Sequence, residues 1–240
     1  MSPPGAATSQ ERLASLSLFY PMYNEEGNIE LAAQRALEIL PGVAEEFEII
    51  LVDDGSRDAT GAIADRLAAG DPRIRAIHHP TNLGYGAALT SGIRASRFEW
   101  IFYTDGDNQF DLREIDLLLP LRHGHEIVSG FRIDRRDPVN RKLNAWLFNS
   151  LVRLLFGFRL RDVDCAFKLY RASIFEGMDL VSRGALIDVE IIARARKRGA
   201  RVVEIGVHHF PRTVGSQTGA KLSVILRAFR ELLRLWGELR

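Results

Sequence analysis

A chain of 240 residues, 46% of them hydrophobic, is long enough to bury one large core. Its 32 basic and 31 acidic side chains leave a formal charge of +1, so no bulk field favours nucleic acid as a partner. The single cysteine, Cys165, excludes an internal disulfide and a zinc-thiolate cluster and suits a reducing compartment. No apolar run is long enough to span a bilayer; the nearest, residues 146–158, is interrupted by Asn149, Ser150 and Arg153. Residues 1–12 lack a secretory pattern and read as a disordered lead-in.

The first half alternates strands and helices. Residues 16–20 read as a strand ended by Pro21, and the turn 24–28 leads into an amphipathic helix to about Leu40. Residues 47–52 form a second strand that stops at Asp53-Asp54-Gly55. Ser56 or Asp58 then caps a helix that Gly70 ends. A third strand covers 74–78, and the loop 80–84 opens a helix over 85–95. The aromatic run from Trp100 is a buried strand that delivers Asp105-Gly106-Asp107. Asp111 caps a helix to about Arg122, and 126–130 is a short strand.

This alternation predicts an α/β fold with a mostly parallel central sheet and helices on its faces. The second half adds a helix from Pro138 to about Phe156, an alternating strand over 164–170, a helix over 185–198 and a strand over 201–208. A loop over 211–219 and a helix from about Lys221 to the end complete the chain. In that last helix Leu222, Ile225, Leu226, Phe229, Leu232, Leu233 and Trp236 share one face. It is either packed on the domain or laid on an anionic membrane surface.

Strands of a parallel sheet present ligands at their carboxyl ends, so Asp105 and Asp107 project into a crevice. Two carboxylates one residue apart repel unless a cation lies between them, and a hard divalent ion with substrate phosphates fits. An acidic turn with Gly106 at positive φ is the plain alternative.

The motifs occur in series. Pro21-Met22-Tyr23-Asn24-Glu25, Val52-Asp53-Asp54-Gly55-Ser56, Asn82-Leu83-Gly84-Tyr85-Gly86 and Asp105-Gly106-Asp107-Asn108-Gln109 stand in order. Asp162-Val163-Asp164-Cys165-Ala166-Phe167-Lys168 and Pro211-Arg212 with Gly215-Ser216 follow. In this the chain resembles glycosyltransferase family 2, and within it the polyprenol-phosphate sugar synthases of the dolichol-phosphate mannosyltransferase type. The centre of the fifth motif departs from the family's usual Ser-Gly-Phe-Arg.

The resemblance implies the GT-A fold: one domain over 13–240, with a nucleotide-sugar half (13–131), an acceptor half (132–219) and a terminal amphipathic helix (220–240). It implies an inverting hexose transfer from a nucleotide-sugar of the GDP-mannose or UDP-glucose type. Donor binding then falls to Pro21, Tyr23, Asn24, Glu25, Asp53, Asp54, Gly84, Asp105, Gly106, Asp107 and Lys168. Mg²⁺ or Mn²⁺ is expected at Asp105, Asp107 and Gln109, and Arg212 closes over the diphosphate.

A lipid monophosphate, with a second pKa near ~6, needs cations rather than a base. Arg132, Arg135, Arg136, Arg141, Lys142 and Ser216 are the candidates to place it, ahead of an aromatic helix with Trp146, Phe148 and Phe156. A saccharide or protein hydroxyl would need a carboxylate base. Asp164 ranks first for that role, ahead of Asp188 and Glu190, whose plain reading is pairing with a helix N-terminus. A non-catalytic sugar-nucleotide-binding module is the remaining reading. The expected setting is the cytoplasmic face of a membrane, reached peripherally or through a membrane-protein partner.

Overall fold

The computed structural model describes residues 12–133, 139–212 and 222–239, the side chains of 139–146, 149 and 222–230 excepted. Strand β1 (Leu13–Met22) is followed by α1 (Ile29–Val43), β2 (Ala44–Asp53), α2 (Thr60–Gly70), β3 (Ile74–His78), α3 (Tyr85–Ala95) and β4 (Trp100–Thr104). A broken helix follows, with 3-10 turns at Leu112–Glu114 and Leu119–Arg122 around one α turn, α4 (Ile115–Leu118). Then come β5 (Ile127–Ile133), α5 (Val139–Phe156), β6 (Phe167–Arg171), a 3-10 turn (Ala172–Phe175), α6 (Ile187–Lys197), β7 (Val202–His208) and α7 (Leu222–Leu239).

All seven strands join one sheet in the order β3-β2-β1-β4-β6-β5-β7. β1, β2, β3 and β4 run parallel, as do β5 and β7. β6 is antiparallel to both of its neighbours, so the sheet is mixed but mostly parallel, as expected. The chain order reverses between β1 and β4, which makes their carboxyl ends the switch point where a crevice opens.

Residues of β2 from Ile49 to Val52 and of β4 from Ile101 to Tyr103 are almost wholly buried, because helices cover both faces. The buried carboxylate of Glu48 is satisfied by Ser17 Oγ at 2.7 Å, by Arg75 at 2.8 Å and by the Arg97 backbone N–H at 2.8 Å.

Five sequence expectations are corrected. Pro21 lies inside β1 rather than ending it; β4 has stopped pairing at Phe19–Tyr103, so a missing N–H on that side is tolerated. The expected helix after Asp111 is broken around Pro120, although Asp111 does accept from Arg113 N as its cap. Neither Ser56 nor Asp58 is the N-cap of α2, which is Ala59; Asp58 acts one residue further on by accepting from Thr60 N and Oγ1. β6 starts at Phe167, later than the alternation suggested, and four of its five residues are buried. In α7, Leu232 is buried and Trp236 half-buried as expected, but Leu233, expected on the same face, is 55% exposed, and Leu235 is buried instead. The helix lies against α5 and α6.

Candidate active site

The loops after β1 and β4 border a cleft of about 660 Å³. Pro21, Tyr23, Asn24, Glu25, Asp54, Tyr85, Asp105, Gly106, Asp107 and Arg212 line it. Most of the expected donor residues are thus brought together. A smaller hollow of about 380 Å³, lined by Arg94, Ile101 and Phe175, holds none of them.

The loops are stitched to one another before any ligand arrives. Asn24 (φ 56°) and Asn108 (φ 58°) both adopt the left-handed region, which asparagine tolerates better than most residues. Asn24 N donates to Ser56 Oγ at 2.9 Å, and its side-chain oxygen accepts from Arg57 N at 2.8 Å. Asn108 Nδ2 donates to Asn28 O at 3.0 Å. A Cβ at Gly106 would sit 2.6 Å from Met22 Cε, so the methionine side chain would have to shift to admit one.

Asp105 and Asp107 are partly buried at the floor of this cleft. Desolvation, then the neighbouring Asp107 charge, holds Asp105 well above the usual carboxylate range. Desolvation also raises Asp107, against the pull of the Gln109 backbone N–H and of Arg212. Tyr85 donates to Asp105 Oδ1 at 3.0 Å. Arg212 reaches across from beyond β7, bonds Glu25 Oε1 and lies 3.6 Å from Asp107 Oδ2. A guanidinium therefore sits between two carboxylates of different loops.

Among the described residues no cluster of three or more His, Cys, Asp or Glu forms a complete protein cage for a metal. The donor set still fits Mg²⁺ or Mn²⁺: two carboxylates raised by desolvation, Asp105 further by the Asp107 charge, opening on a cleft that diphosphate oxygens and water could share. Gln109 is not placed with them. It is 6% exposed, and its side chain donates to Phe210 O at 2.7 Å, fastening the chain beyond β7.

Several expected residues, Asp54 of the cleft lining among them, also have structural partners. Asp53 accepts from Ser56 N at 2.9 Å and pairs with His78 Nδ1 at 3.1 Å. Asp54 accepts from Leu83 N and Gly84 N, both at 2.9 Å, and from His79 at 2.7 Å. Gly84 (φ 102°) does allow a close approach, but of Arg183: a Cβ would lie 2.4 Å from its carbonyl oxygen. Nearby, His208 N donates to Glu114 and His209 packs edge-on against Phe110.

Lys168 is the clearest correction. It is wholly buried in β6 and does not face the cleft. Its ammonium bonds Asp188 Oδ1 at 2.6 Å, Tyr103 OH at 3.1 Å and the Cys165 carbonyl. Tyr103 also donates to Asp188. Asp188, in the first turn of α6 as expected, is also the counter-ion of a buried lysine. Glu190, also buried, accepts from Val181 N, Ser182 N and Arg194 Nε. It fixes the segment whose Arg183 carbonyl receives Gly86 N at 2.8 Å.

On the acceptor side, Arg132 is held bidentate by Asp162 at 2.6 and 2.7 Å. Asp164 is an exposed residue outside the lining of the cleft; desolvation of its carboxyl, followed by the charges of Asp188 and Asp162, pushes its pKa up to about 7. Arg135, Arg136 and Ser216 lie outside the described residues. Arg141 and Lys142 lie in α5, but their side chains are likewise outside. Tyr85 and Tyr103 were missed by sequence reasoning. The available signal was a Tyr where Phe would fill the same core, since a buried phenol needs a partner.

The glycosyl transferase family 2 model matches residues 17–178. Glycosyltransferase AglD of Haloferax volcanii is 34% identical over 98% of the chain, which spans 39% of that protein's length. The polyprenol monophosphomannose synthase of Mycolicibacterium smegmatis is 31% identical over 81% of the chain and 77% of the synthase. Among solved structures, glucosyl-3-phosphoglycerate synthase from Mycobacterium tuberculosis, in complex with Mn²⁺, UDP and its product, superposes with a TM-score of 0.72 at 18% identity, covering 99% of this chain and 86% of that one. The order of the strands, the acidic pair at the switch point and these matches agree: the chain belongs to glycosyl transferase family 2 and has the GT-A fold.

Proposed function

We propose that this chain moves a sugar from a nucleoside diphosphate to a polyprenol phosphate at a membrane surface. The carrying observation is Asp105 and Asp107 on the floor of the cleft, with Arg212 reaching over them. Departure of the nucleotide concentrates negative charge on its diphosphate. A divalent cation at Asp105 and Asp107, Mg²⁺ or Mn²⁺, would supply Lewis-acid stabilisation of that charge. Arg212 adds a fixed guanidinium, and the β1 loop with Tyr23, Asn24 and Glu25 forms the wall on which the nucleoside lies.

The acceptor reading draws on the name of the polyprenol monophosphomannose synthase and on the chemistry of the acceptor half. A lipid phosphate is already anionic near neutrality and needs orientation, not deprotonation. Asp188 is tied to Lys168 and is poorly placed to take a proton from a hydroxyl. Among the described residues no helix is long and apolar enough to cross a membrane, so contact with the lipid would be made from the surface.

One observation favours a second reading. Asp164, solvent-exposed and with a pKa pushed up to about 7, suits a general base for a hydroxyl acceptor. Radiolabelled UDP- and GDP-sugars, Mg²⁺ and polyprenol phosphate separate the two. A chloroform-soluble product made at a similar rate by wild type and Asp164→Asn is the expected result. No lipid product with any donor would refute the lipid reading. A loss of about 100-fold or more in Asp164→Asn would point to general-base chemistry.

A further inference from the structure

A string of buried polar side chains runs from the cleft into the core. Tyr85, at the start of α3, donates to Asp105 Oδ1 at 3.0 Å. Its hydroxyl is close enough to Tyr103 and Asp188 for both to act on its acidity. Tyr103, in the middle of β4 and wholly buried, donates to Asp188 and accepts from Lys168 Nζ at 3.1 Å. Lys168 and Asp188 close the group at 2.6 Å, at 0% and 2% side-chain exposure.

The arrangement is costly if it has no task. A buried ion pair seldom adds net stability, and apolar replacements of similar size often do as well. Three elements contribute to it: β4, β6 and α6 each supply one member, and α3 carries the phenol that touches Asp105. Each member restricts the next. Lys168 and Asp188 leave the Tyr103 hydroxyl one orientation. The stacked rings of Phe19 and Tyr170 on either side of Tyr103 fix its plane. Tyr85, whose hydroxyl interacts with that of Tyr103, donates to Asp105.

We propose that Tyr85 is a positioning residue for the cation site, fixing the Asp105 carboxylate so that its other oxygen faces the cleft, and that the buried Tyr103–Asp188–Lys168 group braces Tyr85. The inference rests on the cation reading given above. Partners that orient a metal-binding carboxylate commonly change metal affinity by about 10–100-fold when removed. In this picture Lys168, expected from its motif to touch the donor, acts on the donor only through β4 and Asp105.

The test is Mn²⁺ affinity, read by electron paramagnetic resonance in the presence of saturating UDP or GDP. Tyr85→Phe removes one oxygen and retains the ring. It is expected to weaken Mn²⁺ binding about tenfold or more while leaving the melting temperature in EDTA unchanged. Tyr103→Phe retains the Tyr85–Asp105 bond and is expected to give a smaller weakening in the same direction. Unaltered Mn²⁺ affinity in a folded Tyr85→Phe protein overturns the inference while the cation reading stands. If Tyr85→Phe does not fold, unaltered affinity in Tyr103→Phe overturns it. A wild-type protein that binds no Mn²⁺ with either nucleotide overturns the cation reading, and the inference with it.

Discussion

The two sides of the sheet use charge in opposite ways. On the side of β1, β2 and β4, the carboxylates nearest the cleft stand at or past the strand ends, and Glu48 is buried within β2. Asp105 and Asp107 open on the cleft, and Asp53 and Asp54 hold the neighbouring turns. On the side of β6 and α6, Lys168, Asp188 and Glu190 lie inside the elements, each paired and almost wholly buried. Loop charges can be given to a ligand at little structural cost, whereas charges within strands and helices are already committed to the fold. A sequence motif that continues from one side to the other can therefore change its meaning from binding to bracing.

The sharpest way to break this contrast is Lys168→Met. If Lys168 is a brace, removing it strands Asp188 in the core and should destabilise the protein by about 3–5 kcal/mol, measured by urea unfolding. The double variant Lys168→Met with Asp188→Leu should recover much of that loss. A Lys168→Met protein of unchanged stability with weakened donor binding would return Lys168 to the cleft.

A smaller effect lies on the loop side, at the Asp53–His78 pair. Burial alone would raise the Asp53 pKa, but hydrogen bonds from Ser56 and His78 outweigh it and hold it below the usual range. The hydrogen bond to Asp53 raises His78, against partial burial, with Asp65 adding to the effect. The histidine's contribution is therefore complete below its unfolded pKa of about 6.5 and fades as pH rises through its higher folded value. The Asp53 contribution is present above about 3.8 and fades as pH falls through its depressed folded value. His78 is 38% exposed, so solvent screening keeps the pair under about 1 kcal/mol. The stability gap between wild type and His78→Gln should be widest near about pH 5–6 and close in alkali. A gap that widens with pH would contradict the assignment.

The loop side was legible in the sequence for a physical reason. Apolar runs such as Ile49 to Val52 and Trp100 to Tyr103 must be buried, and the Asp, Asn and Gly residues that follow them mark where the chain leaves the sheet. The site carboxylates are at these exits, so Asp105, Asp107 and Glu25 were found together with their strands. The other side was less legible. Lys168, in the alternating stretch from Asp164 to Tyr170, was assigned to the donor on the resemblance of its motif alone. Only the insertion of β6 between β4 and β5, antiparallel to both, puts Lys168 in the core. Tyr85 and Tyr103 read as ordinary apolar filling, because the pattern of a sequence does not reveal what a phenol oxygen will meet. Gly84 was assigned to the donor, but its close neighbour is the Arg183 carbonyl of a segment almost 100 residues away.

The central claim is that Asp105 and Asp107 serve a cation that carries the diphosphate. Calorimetric titration of UDP and GDP, each in Mg²⁺ and in EDTA, into wild type and Asp107→Asn tests it most directly. The account predicts that one nucleotide binds wild type tightly only with the cation. It predicts a weakening of about tenfold or more in EDTA or in the variant, with the melting temperature in EDTA unchanged. Equal affinity in EDTA, or in Asp107→Asn, would contradict it.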